Sequence, residues 1–293
     1  MPRKIFIPII FFVIICSVCF VVGAVAFWPS LRPQPPEKNE TIFQGITYIR
    51  DVRQSPRPMV VHIMIVDIKQ KGISFLVTPG DPDADLSLKA RTTSQFLEDF
   101  NLQLAVNGDG FTPWYDNSIF DYYPHPGDPV EPVGFAASKG TVYSQNTDAE
   151  PILYITRTNR AEFNNPPGKI HNAISGNVML VDKGKGRSLL DESPQPRTAI
   201  GLNKNGRYLI IVVVDGRLPG YSEGATLAEL SQILIDFGAH SAMNLDGGGS
   251  STLVKEGAFG TSSLLNTPVQ NRIPNRQRAV GNHLGIFAKP ADD

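Results

Sequence analysis

Residues 242–252 read Ala-Met-Asn-Leu-Asp-Gly-Gly-Gly-Ser-Ser-Thr, an apolar strand pattern that runs straight into one carboxylate and three glycines. No other stretch constrains the chain as much. Each glycine loses more backbone entropy on folding than any other residue, so three in a row are costly unless the backbone turns sharply or is approached closely there. A loop of this kind presents backbone N–H groups to an anionic or polyhydroxylated ligand, with Asp246 at its mouth. An isolated Asp-Gly pair would read as a solvated hairpin tip. Gly247, Gly248 and Gly249 together argue for a site.

The surroundings of that loop are those of a β-rich domain. Alternating or continuous apolar runs mark strands at 42–48, 59–68, 73–78, 102–106, 152–156, 178–182, 198–202, 208–214, 242–245 and 284–288. Asn203-Lys204-Asn205-Gly206 reads as the hairpin turn between two of them. Two helices announce themselves by capping boxes, Thr92 with Gln95 and Thr226 with Glu229. The first buries Phe96, Leu97 and Phe100; the second runs through Leu227, Leu230, Ile233, Leu234 and Phe237 to a stop at Gly238. The segment 112–146 is rich in Pro, Gly, Asp and aromatics, which predicts a long ordered excursion rather than regular structure. Its Trp114, Tyr115, Tyr122 and Tyr123 suit either a sugar-binding wall or the packing of the loop onto the core. The expected fold class is α+β: a single domain with a mixed, mainly antiparallel β-sheet core and a few packed helices, preceded by an N-terminal transmembrane or signal helix.

That N-terminal segment begins with Arg3 and Lys4 and continues as an almost uninterrupted apolar run to Trp28. Its length suits a bilayer-spanning helix, and the basic flank would leave the rest of the chain on the extracytoplasmic side, membrane-anchored. A cleaved signal peptide and a secreted domain is the other reading, since Ala24-Val25-Ala26 has the small-x-small form. Residues 29–40, with four prolines, read as an extended tether, and residues 41–290 as the folded domain. Both cysteines, Cys16 and Cys19, lie in the apolar run, so the exported part has neither a disulfide nor a thiolate ligand. A net charge of −1 without a basic block beyond the extreme N-terminus argues against nucleic acid as a partner.

Gly220-Tyr221-Ser222-Glu223-Gly224 matches the Gly-x-Ser-x-Gly pattern of a nucleophile elbow, and Asp246 and His283 follow in the order that such a triad requires. Its context differs from an elbow, because Asp215 to Pro219 separate it from the preceding strand. A serine hydrolase using Ser222 stays as an alternative. Asp81, Asp83 and Asp85 open like a calcium loop but lack its glycine and its closing acid, which leaves an acidic surface turn. The five histidines have no zinc-ligand spacing. No cofactor is expected, although a hard divalent cation such as calcium, held by Asp and Asn oxygens, leaves no spacing signature and stays open. Several polar groups fall at expected strand ends: Asn107, Arg197 with Thr198, Asp215 and Asp246. Arg197 offers a planar fork for phosphate or carboxylate, Asp215 and Asp246 are suited to divide acid and base roles, and Asn107 is suited to a sugar hydroxyl.

Taken together these blocks resemble the phosphodiester glycosidase family related to the lysosomal uncovering enzyme. The resemblance rests on Asn107-Gly108 before Phe111, on Ala173-Ile174-Ser175-Gly176, on Pro196-Arg197-Thr198-Ala199-Ile200-Gly201 and on Asp215-Gly216. It continues through Gly224 and the helix after Thr226, through Asn244 to Thr252, and ends at Arg278 with Asn282. It implies hydrolysis of a sugar-1-phosphodiester, with release of the sugar and a phosphomonoester. On that basis Asp246 faces the sugar or the attacking water, Asp215 is the second carboxylate, and Arg197 with the amides of Gly247, Gly248 and Gly249 faces phosphate. Arg278 is a further phosphate ligand, and Asn107, Thr198, Ser250, Ser251 and Asn282 complete the substrate-binding set. Two positions depart from the family pattern: Gln195 stands where His is frequent, and Asp109 where a small residue is frequent, which marks Asp109 as a contact particular to this chain. The expected function is that of an exported hydrolase of sugar-1-phosphodiester or related glycosidic bonds in envelope glycans or exopolysaccharide. A non-catalytic glycan-binding or exopolysaccharide assembly accessory protein is the alternative of a different class.

Overall fold

Met59–Asp67 and Tyr208–Val214 are near-continuous apolar runs, and a strand apolar on both faces needs cover on both. They lie side by side at the centre of an eight-stranded sheet, in register from Tyr208 opposite Asp67 to Val214 opposite Val61. The computed structural model in which they are seen describes residues 16–17, 32–81, 83, 85–145, 150–188 and 193–291. Apart from helical Cys16 and Ser17, the apolar run expected as a membrane or signal helix lies outside these residues. Among the described residues no helix is long and apolar enough to cross a membrane.

Alternate side chains of the central strands go to opposite layers. Val61, Ile63, Val212 and Val214 pack with Leu230, Ile233 and Leu234 of the helix Leu227–Asp236. Met64, Val66, Ile211 and Val213 pack with Leu104, Val106, Leu253 and Leu284 of a five-stranded sheet behind. That second sheet runs in the order Ser262–Leu264, Leu253–Glu256, Leu104–Asn107, His283–Phe287, Ser74–Val77. Its outer face is covered by the helix Thr93–Asp99 through Phe96 and Leu97. A third sheet, also of five strands and centred on Ile170–Ser175, adds Leu153, Ile155 and Ile174 to the same core as the first two. Both helices start at the capping boxes expected, Thr92 accepting from Gln95 N and Thr226 from Glu229 N.

The core is mainly antiparallel, as expected; its strand pairs, including both neighbours of Ser241–Asn244, are antiparallel, and the mixed character expected is confined to an isolated parallel bridge between Val269 and Arg276. The strand expected over 42–48 is two, because Gly45 at φ +79° turns the chain back and pairs Lys38–Phe43 with Ile46–Arg53. The first of these begins three residues inside the stretch expected as tether, just after the prolines that lack N–H donors end at Pro36. The excursion 112–146 carries short strands, among them Tyr115–Asp116 paired with Tyr122–Tyr123 and Pro129–Pro132 paired with Phe111–Thr112. Asp81, at the head of the acidic turn, is held by both Nη atoms of Arg91 at 2.9 and 2.8 Å.

Candidate active site

Ser241–Asn244 belongs to the eight-stranded sheet and Leu253–Glu256 to the five-stranded sheet behind it, so the triglycine segment is where the chain crosses from one sheet to the other. Three segments meet at that crossing. Leu245 N donates to Thr198 O at 2.8 Å, Asp246 N to Gly108 O at 3.0 Å and Gly248 N to Pro196 O at 2.9 Å. The closeness of the segments explains the glycines: a Cβ on Gly247 would stand 2.9 Å from Pro196 O, and one on Gly249 2.1 Å from Gln270 Oε1. Gly248 has φ +61°, a left-handed conformation that favours glycine, and starts a single 3₁₀ turn to Ser250.

Asp246 heads this turn. Gly247 N donates to its Oδ1 at 2.8 Å, and the Ser250 hydroxyl also bonds the carboxyl. Burial pushes the Asp246 carboxyl above the usual carboxylate range, and the nearby Asp109 pushes in the same direction; Ser250, Arg278 and Gly247 N–H pull it back. Arg278 is mostly buried, donates through Nε to Gln270 Oε1 at 2.7 Å and through Nη1 to Ser250 Oγ at 3.2 Å, and lies 4.9 Å over the Trp114 ring. Arg217, outside the residues expected at the site, reaches the other side of the turn: its Nη2 would be 2.8 Å from a Cβ on Gly248, and Asp246, Asp116 and Arg197 all act on its charge. The arrangement sets one half-buried carboxyl beside two guanidinium groups, with small residues between. It can bind an anion and handle a proton at adjacent points.

Asp109 is buried beside this centre. Its oxygens accept from Gly110 N at 2.8 Å, Gly134 N at 3.0 Å and Ser175 Oγ at 2.7 Å, and burial raises its carboxyl despite these bonds. Asn282 Oδ1 accepts from Asp109 N at 2.8 Å and so fixes the Asp109 backbone.

The remaining expected residues serve the frame of the site. Asn107 Oδ1 accepts from Thr198 Oγ1 and Thr252 N, and Nδ2 donates to Asp246 O, so the Asn107 amide and the Thr198 hydroxyl tie strands together beneath the loop. Arg197 Nε donates to Ala225 O at 3.0 Å and Nη2 to Ser193 O at 2.9 Å. Asp215, expected as a second carboxylate of the cleft, is wholly buried: Oδ1 accepts from Thr267 N and Asn266 Nδ2, and Oδ2 faces His62 Nε2 at 3.1 Å. His62 in turn meets the Tyr48 hydroxyl through Nδ1 at 2.8 Å. This chain of groups braces the loop 266–267, and Asn266 Nδ2 also donates to Ser251 O. Ser251 Oγ is buried without a hydrogen-bond partner.

The elbow reading of Ser222 does not survive. Ser222 is fully buried, accepts from Val60 N at 2.9 Å and donates to Asp215 O at 2.6 Å, and among the described residues no imidazole bonds to it. His283, the imidazole of that triad, is bonded through Nδ1 to Thr78 Oγ1 and stacks on Phe96; burial pulls it down to about 3. Among the described residues no group of three or more His, Cys, Asp or Glu side chains is placed to hold a metal ion.

Sequence signals for the unexpected members were slight. Arg217 follows Asp215-Gly216, a pattern of a turn, and reaches the site through a positive φ of 61° that no sequence motif specifies. Asp116 lies in the aromatic excursion, and Gln270 in the short hairpin Val269–Gln270 with Ile273–Pro274. They enter through contacts made across 154 residues, Gln270 Nε2 donating to Asp116 Oδ2 at 3.1 Å.

Solved structures share this architecture. A hypothetical protein from Synechocystis superposes with a TM-score of 0.58 at 18% identity over 87% of this chain, which spans 64% of that protein's length. The zebrafish N-acetylglucosamine-1-phosphodiester alpha-N-acetylglucosaminidase catalytic domain, auto-inhibited by its pro-peptide, gives 0.56 at 21% identity, over 88% of this chain and 85% of that one. A putative exported protein from Burkholderia pseudomallei gives 0.56 at 15% identity, over 80% and 75%. No curated protein sequence matches the chain. The profile of the family described as NAGPA: Phosphodiester glycosidase matches residues 71–287, from just before the strand Ser74–Val77 to the end of His283–Phe287, and the chain belongs to that phosphodiester glycosidase family.

Proposed function

We propose that this glycosidase hydrolyses the bond between the anomeric carbon of a sugar and a phosphodiester oxygen, with Asp246 as its catalytic carboxylate. The observation that carries the reading is the Asp246 carboxyl beside Arg278 and Arg217, on a turn that opens with glycines and adds only the Ser250 hydroxyl. In the reaction, water adds to the anomeric carbon as the carbon–oxygen bond to phosphate breaks. The bond's electron pair leaves on the phosphate oxygen, Asp246 takes the proton of the water, and a free sugar and a phosphomonoester result. A carboxyl raised by burial is a better base near neutrality than an ordinary aspartate, and positive charge on the phosphate side favours departure of the leaving group. Asp109, which shares the neighbourhood and is itself raised, helps keep Asp246 ready to accept a proton.

The family supports this substrate class, and the name of the zebrafish protein that shares the fold describes an N-acetylglucosamine-1-phosphodiester. The apolar N-terminal run supports a domain outside the cytoplasm, tethered or secreted, acting on envelope glycans or exopolysaccharide, and a putative exported protein shares the fold. The test is release of free sugar from a panel of methyl hexose-1-phosphodiesters, the N-acetylglucosamine compound included. Asp246→Asn lowers kcat by about 100-fold or more, the range of a lost proton-transfer group, while KM stays close to that of the parent. Substrate binding without turnover in the parent would transfer the chain to the glycan-binding class. Full turnover by Asp246→Asn would remove Asp246 from the chemistry.

A further inference from the structure

Asp116 ends the short strand Tyr115–Asp116, whose hairpin with Tyr122–Tyr123 brings it to the Arg278 side of the triglycine turn. Its carboxylate acts on the charges of both Arg217 and Arg278, as does that of Asp246. Its hydrogen bonds, however, come from neutral amides: Gln270 Nε2 at 3.1 Å and Asn271 Nδ2. Arg278 Nη2 faces it at 3.8 Å, an ion pair outside hydrogen-bond distance. That same Nη2 lies against the backbone of Gly249, where a Cβ would come within 2.8 Å of it. Trp114, next to that hairpin, lies under the Arg278 guanidinium, 4.9 Å from it, in a cation–π contact.

Resting on the phosphodiesterase-type glycosidase reading above, we propose that Arg217 and Arg278 form the phosphate subsite and that the Asp116 carboxylate fills it until substrate arrives. Binding is then an exchange of anions. A phosphodiester carries one negative charge, as the carboxylate does, so the exchange leaves the charge around the two arginines unchanged. Two phosphate oxygens match the planar guanidinium fork better than a carboxylate held at 3.8 Å by side-chain amides. An uncharged glycoside has no group to displace Asp116, so the same residue sets specificity for anionic aglycones.

The experiment measures inorganic phosphate binding by tryptophan fluorescence in the full chain carrying Trp28→Phe, which leaves Trp114 as the reporter. Asp116→Asn binds phosphate about fivefold more tightly than this parent, and Arg217→Gln about fivefold more weakly, as expected for one partly exposed ion pair gained or lost. Asn271→Gly removes an amide that holds Asp116 while keeping a residue suited to its φ of +53°, and it shifts affinity in the same direction as Asp116→Asn. Phosphate affinity unchanged or weaker in both Asp116→Asn and Asn271→Gly overturns the proposal. Tighter phosphate binding without hydrolysis of any sugar phosphodiester leaves the subsite standing and removes the enzymatic reading. Sugar release that continues while none of the variants alters phosphate affinity does the reverse.

Discussion

The side-chain amide of Asn107 donates to the main-chain carbonyl of Asp246 at 2.8 Å. The same side chain accepts from Thr198 Oγ1 at 2.8 Å and Thr252 N at 3.1 Å, so one buried amide ties the triglycine turn to strands of both sheets. Asn107→Asp keeps the shape and replaces the donor by an oxygen that faces the Asp246 carbonyl. The variant loses about 1–3 kcal/mol of stability, the cost of a buried polar group left without its partner. Its kcat falls as well, because the backbone of Asp246 loses that tie. Urea unfolding and sugar release measure the two effects; a variant within about 0.5 kcal/mol of the parent, as for an ordinary surface substitution, would show that the amide does not hold the turn.

Ser222→Ala separates this enzyme from a serine hydrolase. The hydroxyl takes the Val60 N–H and gives its proton to Asp215 O, both buried. Without it the Val60 N–H is orphaned, and stability falls by about 1–3 kcal/mol. Assayed well below its unfolding midpoint, Ser222→Ala keeps the kcat of the parent. Loss of turnover in a variant that remains folded would return Ser222 to the chemistry.

The close packing of the turn after Asp246 was legible because its signal is local: a strand end followed by three glycines is unusual enough to announce a close approach of backbones. The fold was legible for a similar reason, since Met59–Asp67, Tyr208–Val214 and both capping boxes depend on residues near one another in the chain. What a strand-end polar group does is another matter. Asn107, Thr198 and Asp215 share with Asp246 a place at a strand end, yet their bonds go to groups 51 to 145 residues away and turn them into frame rather than cleft. Arg217 and Asp116 were invisible because their positions follow from a left-handed residue and a hairpin that leans on a distant segment. Periodicity registers burial and direction along one strand; it carries no information on which remote donor or acceptor waits there.

Gly249 tests the steric side of the site. Its φ is not in the left-handed region, so an alanine there is disfavoured by contacts alone: 2.1 Å to Gln270 Oε1 and 2.8 Å to Arg278 Nη2. Both are ends of long side chains that can move, and the fold survives. Arg278 then shifts away from the turn, and kcat/KM for the phosphodiester falls about tenfold or more, equivalent to ~1.4 kcal/mol of transition-state stabilisation. Thermal unfolding stays near that of the parent. An unaltered kcat/KM in Gly249→Ala would mean that the position of Arg278 is immaterial to the reaction.

The raised carboxyl of Asp246 sets stability and activity against each other along the pH axis. Folding lifts this group above its ordinary 3.8, chiefly through burial, so the folded state holds its proton more tightly than the unfolded chain does. The stability that goes with the bound proton is full below about pH 4, where both states are protonated, and declines as pH rises through the folded value. Asp246→Asn keeps a neutral group at the site throughout. Relative to the parent, it therefore gains stability as pH rises from 4, even as it loses turnover. Activity in the parent runs the other way, since proton transfer to Asp246 needs the ionised form, and the acid limb of kcat/KM lies above the ordinary aspartate range. Asp109 is raised too and repels Asp246, so the limb belongs to the pair, and Asp109→Asn moves it to lower pH. Urea unfolding of parent and Asp246→Asn from pH 4 to 8, set beside the pH profile of sugar release, decides the matter. A stability gap that stays constant over that range, with an acid limb near 3.8, would show that burial does not tune this carboxyl.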